Sequence, residues 1–224
     1  WLNAETMLKQ NDQISIEGYT IFRNDRNREG GGVLVGVKKC LKNVTMEVSR
    51  ENKVEESIWI TMRTKRKVKV GVIYAPQESR TKKEKLKTMY ERIGAEIKES
   101  REKEEKIMVI GDFNCKVRKK IAGNSGEISK GGRMMLDLLK KEKMDLVNVS
   151  QRCKGKWTRK IGNSQSIIDY IMIKKEDMEK IIETKIDEEK LNTPYRLFQK
   201  QGKIEEIYSD HNAILCRMKW GKHQ

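Results

Sequence analysis

Short apolar runs separated by charged or glycine-rich stretches recur along the whole chain. The runs include GVLVGV, VGVIYA, IMVIG, IIDYIMI and AILCRM, and they are rich in valine and isoleucine. Such segments favour strands, and the glycine, asparagine and lysine clusters between them favour turns. The pattern therefore predicts a globular protein with a large sheet core.

The predicted strands follow one another in two groups with helical segments between them. They cover residues 18–25, 32–39, 56–64, 67–76, 106–111, 144–150, 156–160, 166–175 and 213–220. The run at 106–111 has no polar interruption, which is typical of a central strand covered on both faces. This mixed order favours packed sheets flanked by helices over a doubly wound parallel sheet.

Three segments show helical patterns. Leu86, Met89, Ile93 and Ile97 recur at three- and four-residue spacing within residues 79–106, which predicts an amphipathic surface helix. Residues 133–143 predict a second helix, and residues 176–190 predict a third. An irregular link through Pro194 is expected to follow the third helix.

The charge balance points to a polyanionic partner. Lysine and arginine number 49 against 33 acidic residues, which gives a formal net charge of +16 and a pI near 9.6. Such an excess attracts nucleic acid, although a lysine-rich surface that is merely well solvated is the simpler alternative. The four cysteines are widely spaced and form no CxxC pair. This spacing disfavours a zinc site and indicates reduced thiols in an intracellular protein.

The hydropathy of the chain and its first residues bear on membrane insertion, secretion and completeness. No apolar run approaches the length of a membrane span, and the start, WLNAETMLKQ, lacks the features of a secretory signal. The chain also begins without a methionine. We therefore expect a fragment of a longer protein.

Several polar residues share one kind of position, at a strand end that faces a loop. They are Glu5, Tyr74, Asp112, Asn114, Asp169, Asp210 and His211. Asp112 and Asn114 could be ordinary turn formers, and His211 could be a surface histidine. Asp169 is different because it interrupts an apolar strand, where an unpaired carboxylate is expensive to bury. It requires a partner such as an imidazolium or a metal ion.

Together these residues supply the chemistry of phosphodiester hydrolysis. Carboxylate oxygens hold Mg²⁺ without soft ligands, and a bound cation offsets charge that develops on a phosphoryl group. A carboxylate can orient or deprotonate the attacking water, and a histidine held by an aspartate can donate a proton. No Ser-His or Cys-His pairing occupies comparable positions.

The ordered motifs AET, VIYAP, GDFN, IDYI and SDH resemble the endonuclease/exonuclease/phosphatase superfamily. The pattern is most similar to the endonuclease domains of LINE-type non-LTR retrotransposons. The resemblance covers nearly the whole chain as one domain, residues 1–224. It implies a DNase I-like α/β fold, a four-layered sandwich of two packed mixed or antiparallel sheets flanked by helices.

The resemblance also implies a role for each matching residue. Glu5 and Asp210 would hold Mg²⁺, with Mn²⁺ as an alternative. Asp112 would position or activate water, Asn114 and Tyr74 would contact the phosphate, and Asp169 would orient His211. The residues expected to contact DNA are Thr158, Arg159, Lys160, Arg118 and Lys119. The segment 159–166 would reach into DNA, although a plain solvated turn is an equal alternative.

The implied function is a Mg²⁺-dependent endonuclease that nicks DNA. In a parent element the nick would prime reverse transcription, with a reverse transcriptase domain in the same polypeptide and action on chromosomal DNA in the nucleus. Two alternatives remain: a catalytically impaired remnant that binds nucleic acid by charge, and a phosphatase of the same fold that acts on a small phosphoester. Family members begin with a further strand that carries an active-site asparagine. Its absence here predicts an unstable or poorly active chain.

Overall fold

The structure is a computed structural model. It describes residues 2–4, 6, 8, 11–25, 32–41, 45–48, 57–63, 67–79, 82–117, 127–191, 195–200 and 203–219. The strands in these ranges are β1 (Leu2–Ala4), β2 (Tyr19–Asn24), β3 (Val33–Lys38), β4 (Thr45–Val48), β5 (Ser57–Arg63), β6 (Lys67–Tyr74), β7 (Lys106–Asp112), β8 (Met144–Leu146), β9 (Cys153–Lys154), β10 (Arg159–Ile161), β11 (Ser164–Ser166), β12 (Asp169–Lys174), β13 (Ile181–Ile186), β14 (Tyr195–Lys200), β15 (Lys203–Tyr208) and β16 (Ile214–Met218). The helices are α1 (Lys83–Glu102), α2 (Lys130–Glu142) and the 3₁₀ segments Val147–Val149 and Lys175–Lys180.

A six-stranded mixed sheet forms the centre of the molecule. Its strand order is β4-β5-β6-β7-β12-β8. Strands β6 and β7 are parallel, and the other neighbours are antiparallel. Strand β7 lies inside the sheet, as its unbroken apolar sequence predicts. Its odd-numbered residues Ile107 and Val109 face one layer, and Met108 and Ile110 face the other.

Both described α-helices cover one face of this sheet. Helix α1 buries Leu86, Met89, Ile93 and Ile97, the predicted stripe, in the same apolar cluster as Ile107 and Val109. Helix α2 adds Met135 and Leu138 to that cluster. The two helices approach closely at Gly94, where a Cβ atom would lie 3.3 Å from Cδ1 of Leu138. Burial of this stripe, rather than helix propensity, explains why α1 is stable at this place.

Smaller sheets cover the opposite face. The sheet β1-β3-β2 packs through Val33 and Val35 against Val70 and Val72 of β6. The sheet β16-β13-β9 packs through Ile181 and its neighbours against β12. Packed mixed sheets with helices on the flank confirm the predicted DNase I-like α/β fold class.

Four segments differ from the expectations. The predicted strand 144–150 is strand β8 followed by the 3₁₀ segment Val147–Val149, and within the predicted strand 156–160 only Arg159 and Lys160 lie in a strand. The sequence predicts a helix over residues 176–190, but the chain forms a 3₁₀ turn and then strand β13. Tertiary packing explains the difference, because Ile181, Thr184 and Ile186 are buried while β13 pairs with β16 and β9. The expected irregular link instead contains the hairpin β14–β15. Among the described residues, no helix combines the length and apolar character required to cross a lipid bilayer.

Candidate active site

Three of the predicted site residues form one row across the central sheet. In the strand register, Tyr74 of β6 pairs with Asp112 of β7, and Asp112 pairs with Asp169 of β12. Because side chains alternate along a strand, these three project from the face that carries Val72, Ile110 and Ile171. The row marks the edge of the sheet where β6 and β7 end and β12 begins.

The GDFN segment fixes Asp112 from both sides. The Asp112 carbonyl accepts a hydrogen bond of 2.7 Å from Ala75 N–H, and Phe113 N–H donates to Ile168 O at 2.9 Å. Phe113 has 0% exposure and packs near Tyr170, with 6.1 Å between the ring centroids. The buried Phe113 side chain therefore anchors the end of β7 between Asp112 and Asn114.

Asn114 is held in an unusual local conformation beside Asp112. Its φ of 45° lies in the left-handed region, which asparagine tolerates better than most residues. Its backbone N–H donates to Asp112 Oδ1 at 2.8 Å, and its Nδ2 donates to Ala75 O at 2.8 Å. The second hydrogen of Nδ2 takes no part in this bond. It is a donor that could serve a phosphate oxygen.

Asp169 and His211 form a close ion pair. Nδ1 of His211 lies 3.0 Å from each carboxylate oxygen of Asp169. Burial favours the neutral ring, but the hydrogen bond with Asp169 and the charges of Asp169, Asp112 and Asp210 outweigh it and raise the pKa of His211 from 6.5 to about 9. The ring is therefore an imidazolium at neutral pH, with Nε2–H as its second donor.

Asp112, Asp169 and His211 converge in a single cluster. Each offers one ligand-type atom, and these atoms lie within 4.8 Å of one another. Asp112 has 3% exposure, and the other two are partly buried. Two carboxylates beside an imidazolium can accept a proton, donate one and attract a hard cation. The arrangement thus places groups that can act as acid, base and cation ligand within a short distance of one another.

Thr158 is buried beside the start of β12. It has 0% exposure, and its contact with DNA stays a prediction. Its Oγ1 accepts hydrogen bonds of 3.1 Å from Ile168 N–H and 3.2 Å from Asp169 N–H. The hydroxyl satisfies two buried donors at the start of β12. Thr158 therefore supports the position of Asp169 from behind.

Asn148 is a further supporting residue that sequence reasoning missed. Its Nδ2 donates to Asp169 O at 2.9 Å, and its Oδ1 accepts from Ile171 N–H at 3.0 Å. The side chain has 2% exposure and holds the backbone of β12 through these two hydrogen bonds. The signal in the sequence is the same as for Asp169: a polar residue within an apolar run, here LVNV.

Asp210 is paired with a residue of the neighbouring hairpin. Arg159 Nε donates to Asp210 Oδ2 at 2.8 Å. Although partial burial opposes it, this bond and the charges of His211 and Arg159 hold the pKa of Asp210 below its ordinary value. The carboxylate stands outside the cluster formed by Asp112, Asp169 and His211, although Asp210 is the next residue to His211 in the chain.

Lys190 also supports the site, and unlike Asn148 it has no signal in the sequence. Its Nζ donates to the carbonyl of His211 at 2.9 Å and also to the carbonyl of Ser209. These carbonyls flank Asp210, so one ammonium group ties both ends of the Asp210–His211 turn. Desolvation lowers the pKa of Lys190 against the opposing charges of Asp210 and Asp187.

The structure thus brings the predicted catalytic residues to one sheet edge. Asp112, Asn114, Asp169 and His211 meet there, with Asp210 beside them. Tyr74 is next to Asp112 in register, has 8% exposure and packs with Val72, and its contact with phosphate stays a prediction. Lys160 is exposed on β10. Three predicted site residues lie outside the described ranges: Glu5, Arg118 and Lys119.

Solved structures with the same fold are similar to this chain at low sequence identity. A 3′ phosphatase, NExo, from Neisseria, bound to product DNA hairpin, superposes with a TM-score of 0.70, 14% identity, and coverage of 98% of this chain and 88% of that chain. AP endonuclease LMAP from Leishmania major gives a TM-score of 0.72, 10% identity, and coverage of 92% and 72%. The endonuclease domain of TRAS1, a telomere-specific non-LTR retrotransposon, gives a TM-score of 0.59, 13% identity, and coverage of 92% and 81%.

These similarities show that the chain has the fold of the AP endonucleases and related exonucleases and phosphatases. No protein-family model matches the sequence. No curated protein matches it either. The fold is therefore shared, and the chemistry has to be argued from the residues of this chain.

Proposed function

We propose that this chain is a divalent-metal-dependent phosphodiesterase that nicks DNA. One observation carries the proposal: Asp112, Asp169 and a protonated His211 converge within 4.8 Å at the edge of the central sheet. A binding remnant has no need of this set, because buried acidic groups weaken attraction to a polyanion. The fold shared with DNA-acting nucleases supports the same conclusion.

Asp112 is the proposed base for the attacking water. Its Oδ1 accepts the Asn114 N–H, which fixes the carboxylate plane. The water donates its proton to Asp112 as its oxygen attacks phosphorus, and the bond from phosphorus to the leaving oxygen of the DNA strand breaks. The remaining amide hydrogen of Asn114 donates to a phosphate oxygen, with the Tyr74 hydroxyl as a further donor.

His211 is the proposed donor to the phosphoryl group. Asp169 occupies Nδ1, so Nε2–H is the hydrogen that remains for a phosphate oxygen. The imidazolium is attracted to the charge that develops on that oxygen, and Asp169 preserves this protonation state. Asp169 therefore acts through His211 as a positioning residue.

A hard divalent cation fits the acidic side of this site. Its oxygen donors suit Mg²⁺ or Mn²⁺, whereas the protonated His211 is unsuited to be a ligand. Asp210 and Glu5 would hold the ion. When bound, the cation neutralises charge on the phosphate and on the leaving oxygen.

DNA is the proposed substrate because of charge and the position of the hairpin. The formal charge of +16 favours a polyphosphate backbone over a small phosphoester. The hairpin β10–β11 starts at Arg159, and the β-bridge Arg159↔His211 joins it directly to the site. Lys160 and Ile161 are exposed on it. We propose that this hairpin contacts the DNA next to the cleaved bond.

We further propose that the nick serves a mobile element. The likeness to the TRAS1 domain and the retrotransposon-like motifs support a parent polypeptide in which the 3′ end of the nick primes a reverse transcriptase. Such a protein would act on chromosomal DNA in the nucleus. Sequencing the DNA that flanks the coding region would test this role through the presence of a reverse transcriptase reading frame.

Conversion of supercoiled plasmid to open circles tests the activity. We expect conversion with Mg²⁺ or Mn²⁺ and none with EDTA, and a decrease of at least about 10²-fold in Asp112→Asn and His211→Gln. Asp137→Asn, an exposed carboxylate on α2, is the matched control. Equal nicking by Asp112→Asn and Asp137→Asn would reject this assignment.

A phosphatase that acts on a small phosphoester is the second candidate, since a mannosyl-6-phosphatase of Bacteroides thetaiotaomicron has a similar fold, with a TM-score of 0.56 and 12% identity. Salt dependence separates cleavage of a long backbone from hydrolysis of a small phosphoester. For an extended DNA contact, log(kcat/KM) should fall with log salt by about 0.9 for each phosphate contacted. A flat response, with release of phosphate from a small ester, would favour the phosphatase.

A further inference from the structure

The Arg159–Asp210 pair joins two residues with different proposed partners. Arg159 belongs to the hairpin proposed to meet DNA, and Asp210 is a proposed cation ligand. The structure connects them directly, with Arg159 Nε 2.8 Å from Asp210 Oδ2. A DNA phosphate that draws the guanidinium toward itself would compete with the carboxylate for it. The pair is thus a point where the two ligands can influence each other.

The hairpin base and the Asp210–His211 turn are also connected through the backbone. Lys160 N–H donates to Asp210 O at 2.9 Å, and Asn212 N–H donates to Thr158 O at 2.6 Å. These bonds fix the Cα positions around Arg159 and Asp210. A change at the pair therefore needs only side-chain rotation, because the backbone on both sides is already held.

We propose that Arg159 couples DNA binding to cation binding. Without DNA, its guanidinium holds the Asp210 carboxylate away from the cluster of Asp112, Asp169 and His211. A DNA phosphate takes over the guanidinium, and Asp210 then turns toward the cation. The inference rests on the proposed function, because it assumes that the hairpin meets a phosphate backbone.

The exposure of the pair makes this exchange feasible. The side chains of Arg159 and Asp210 are 30% and 44% exposed, and an ion pair so accessible to water is weak. A phosphate offers the guanidinium two oxygens in a planar arrangement, which a single carboxylate oxygen at Nε does not. By linkage, DNA must raise cation affinity by the same factor by which the cation raises DNA affinity.

Binding of Mn²⁺, followed by electron paramagnetic resonance of the free ion, tests the coupling without turnover. In the absence of DNA, Arg159→Gln should bind Mn²⁺ about threefold to fivefold more tightly than the unchanged chain, the range expected for an exposed ion pair. Lys160→Gln is the matched control, since it removes the same charge from the adjacent residue and leaves the pair intact. Equal Mn²⁺ affinities for the two variants would overturn the proposal.

A second arm adds a short DNA duplex in a His211→Gln background, which prevents cleavage. The duplex should raise Mn²⁺ affinity about fivefold or more when Arg159 is present, the lower end of ordinary coupling. With Arg159→Gln this increase should shrink to within about twofold. An increase of the same size in both proteins would also overturn the coupling.

Failure of the coupling and failure of the proposed function give different results. If metal-dependent nicking is absent but Mn²⁺ affinity still depends on Arg159 and on the duplex, the phosphodiesterase assignment fails and the coupling holds. If nicking occurs and neither Arg159→Gln effect is seen, the enzyme assignment holds and the coupling fails.

Discussion

Asp112 and Asp169 stand directly opposite each other across the antiparallel strands β7 and β12. Two carboxylates in this position repel each other unless a positive charge compensates them. His211 provides that charge, because its Nδ1 lies 3.0 Å from Asp169 and its pKa is raised to about 9. The acid–base pairing of the site is therefore a consequence of strand register.

Replacing Asp169 by asparagine should lower the pKa of His211. The imidazolium loses its ion pair, so its pKa should move from about 9 toward the ordinary 6.5. If the imidazolium donates to phosphate, activity should fall as pH rises through the pKa, and Asp169→Asn should move this alkaline limb to lower pH by up to about two units. Rate profiles against pH measure the shift.

Proton NMR of the imidazole reads the same pKa without relying on activity. The chain has two histidines, so His223 serves as an internal reference. Because the folded pKa of His211 lies above its unfolded value, its ion pair stabilises the fold fully below pH 6.5, and this contribution is lost as pH rises through about 9. An unchanged His211 titration in Asp169→Asn would contradict the assigned pairing.

The Thr158 hydroxyl is expected to matter for stability and for the position of Asp169. Thr158→Val keeps the shape but leaves the Ile168 and Asp169 N–H groups without their acceptor, which should cost about 1–3 kcal/mol. Thermal melting measures the loss. Thr158→Ser retains the oxygen and should melt close to the unchanged chain; a Thr158→Val variant that melts no lower than Thr158→Ser would contradict the role of the hydroxyl.

The sequence predicts a charged partner for Asp169 and a central position for β7 because both signals are local. Asp169 within an apolar strand requires a charged partner, and the structure supplies His211. The central position of β7 follows from an uninterrupted apolar run. Both inferences depend only on the cost of burying charge and on strand periodicity. Both can be drawn from a few consecutive residues.

The failures concern residues whose role depends on distant partners. The Thr158 hydroxyl accepts hydrogen bonds from residues ten and eleven positions later in the chain, so its support of Asp169 is not predicted from the sequence. Residues 176–190 have a composition typical of a helix, and long-range pairing with β16 makes residues 181–186 a strand. Lys190 resembles any surface lysine until the Ser209 and His211 carbonyls are placed beside it. Periodicity carries no information about such contacts.

Lys190 should influence catalysis through the geometry of the Asp210–His211 turn. Lys190→Met retains much of the side-chain volume but cannot donate to the two carbonyls, so kcat should fall by about tenfold while KM for plasmid changes little. Lys190→Arg keeps a donor and should restore part of the rate. Steady-state nicking kinetics check both. A change in KM alone would assign Lys190 to DNA attraction instead.

The glycine of GDFN is required where β6 and β7 meet. At Gly111, φ is +152°, and a Cβ atom would lie 1.8 Å from the Ile73 carbonyl oxygen. Gly111→Ala must therefore push β7 away from β6, next to the paired residues Tyr74 and Asp112. We expect a loss of about 3 kcal/mol or more in the free energy of unfolding, together with loss of nicking.

Gly18→Ala separates backbone strain from this collision. Gly18 also has a positive φ, +76°, but a Cβ atom at this position would have no heavy atom within 4 Å. It should lose only about 1–2 kcal/mol, the cost of the left-handed conformation alone, and should keep its activity. Denaturant unfolding of both variants provides the comparison. Similar destabilisation would mean that the strand contact at Ile73 yields easily, and Gly111 would then be a conformational rather than a steric requirement.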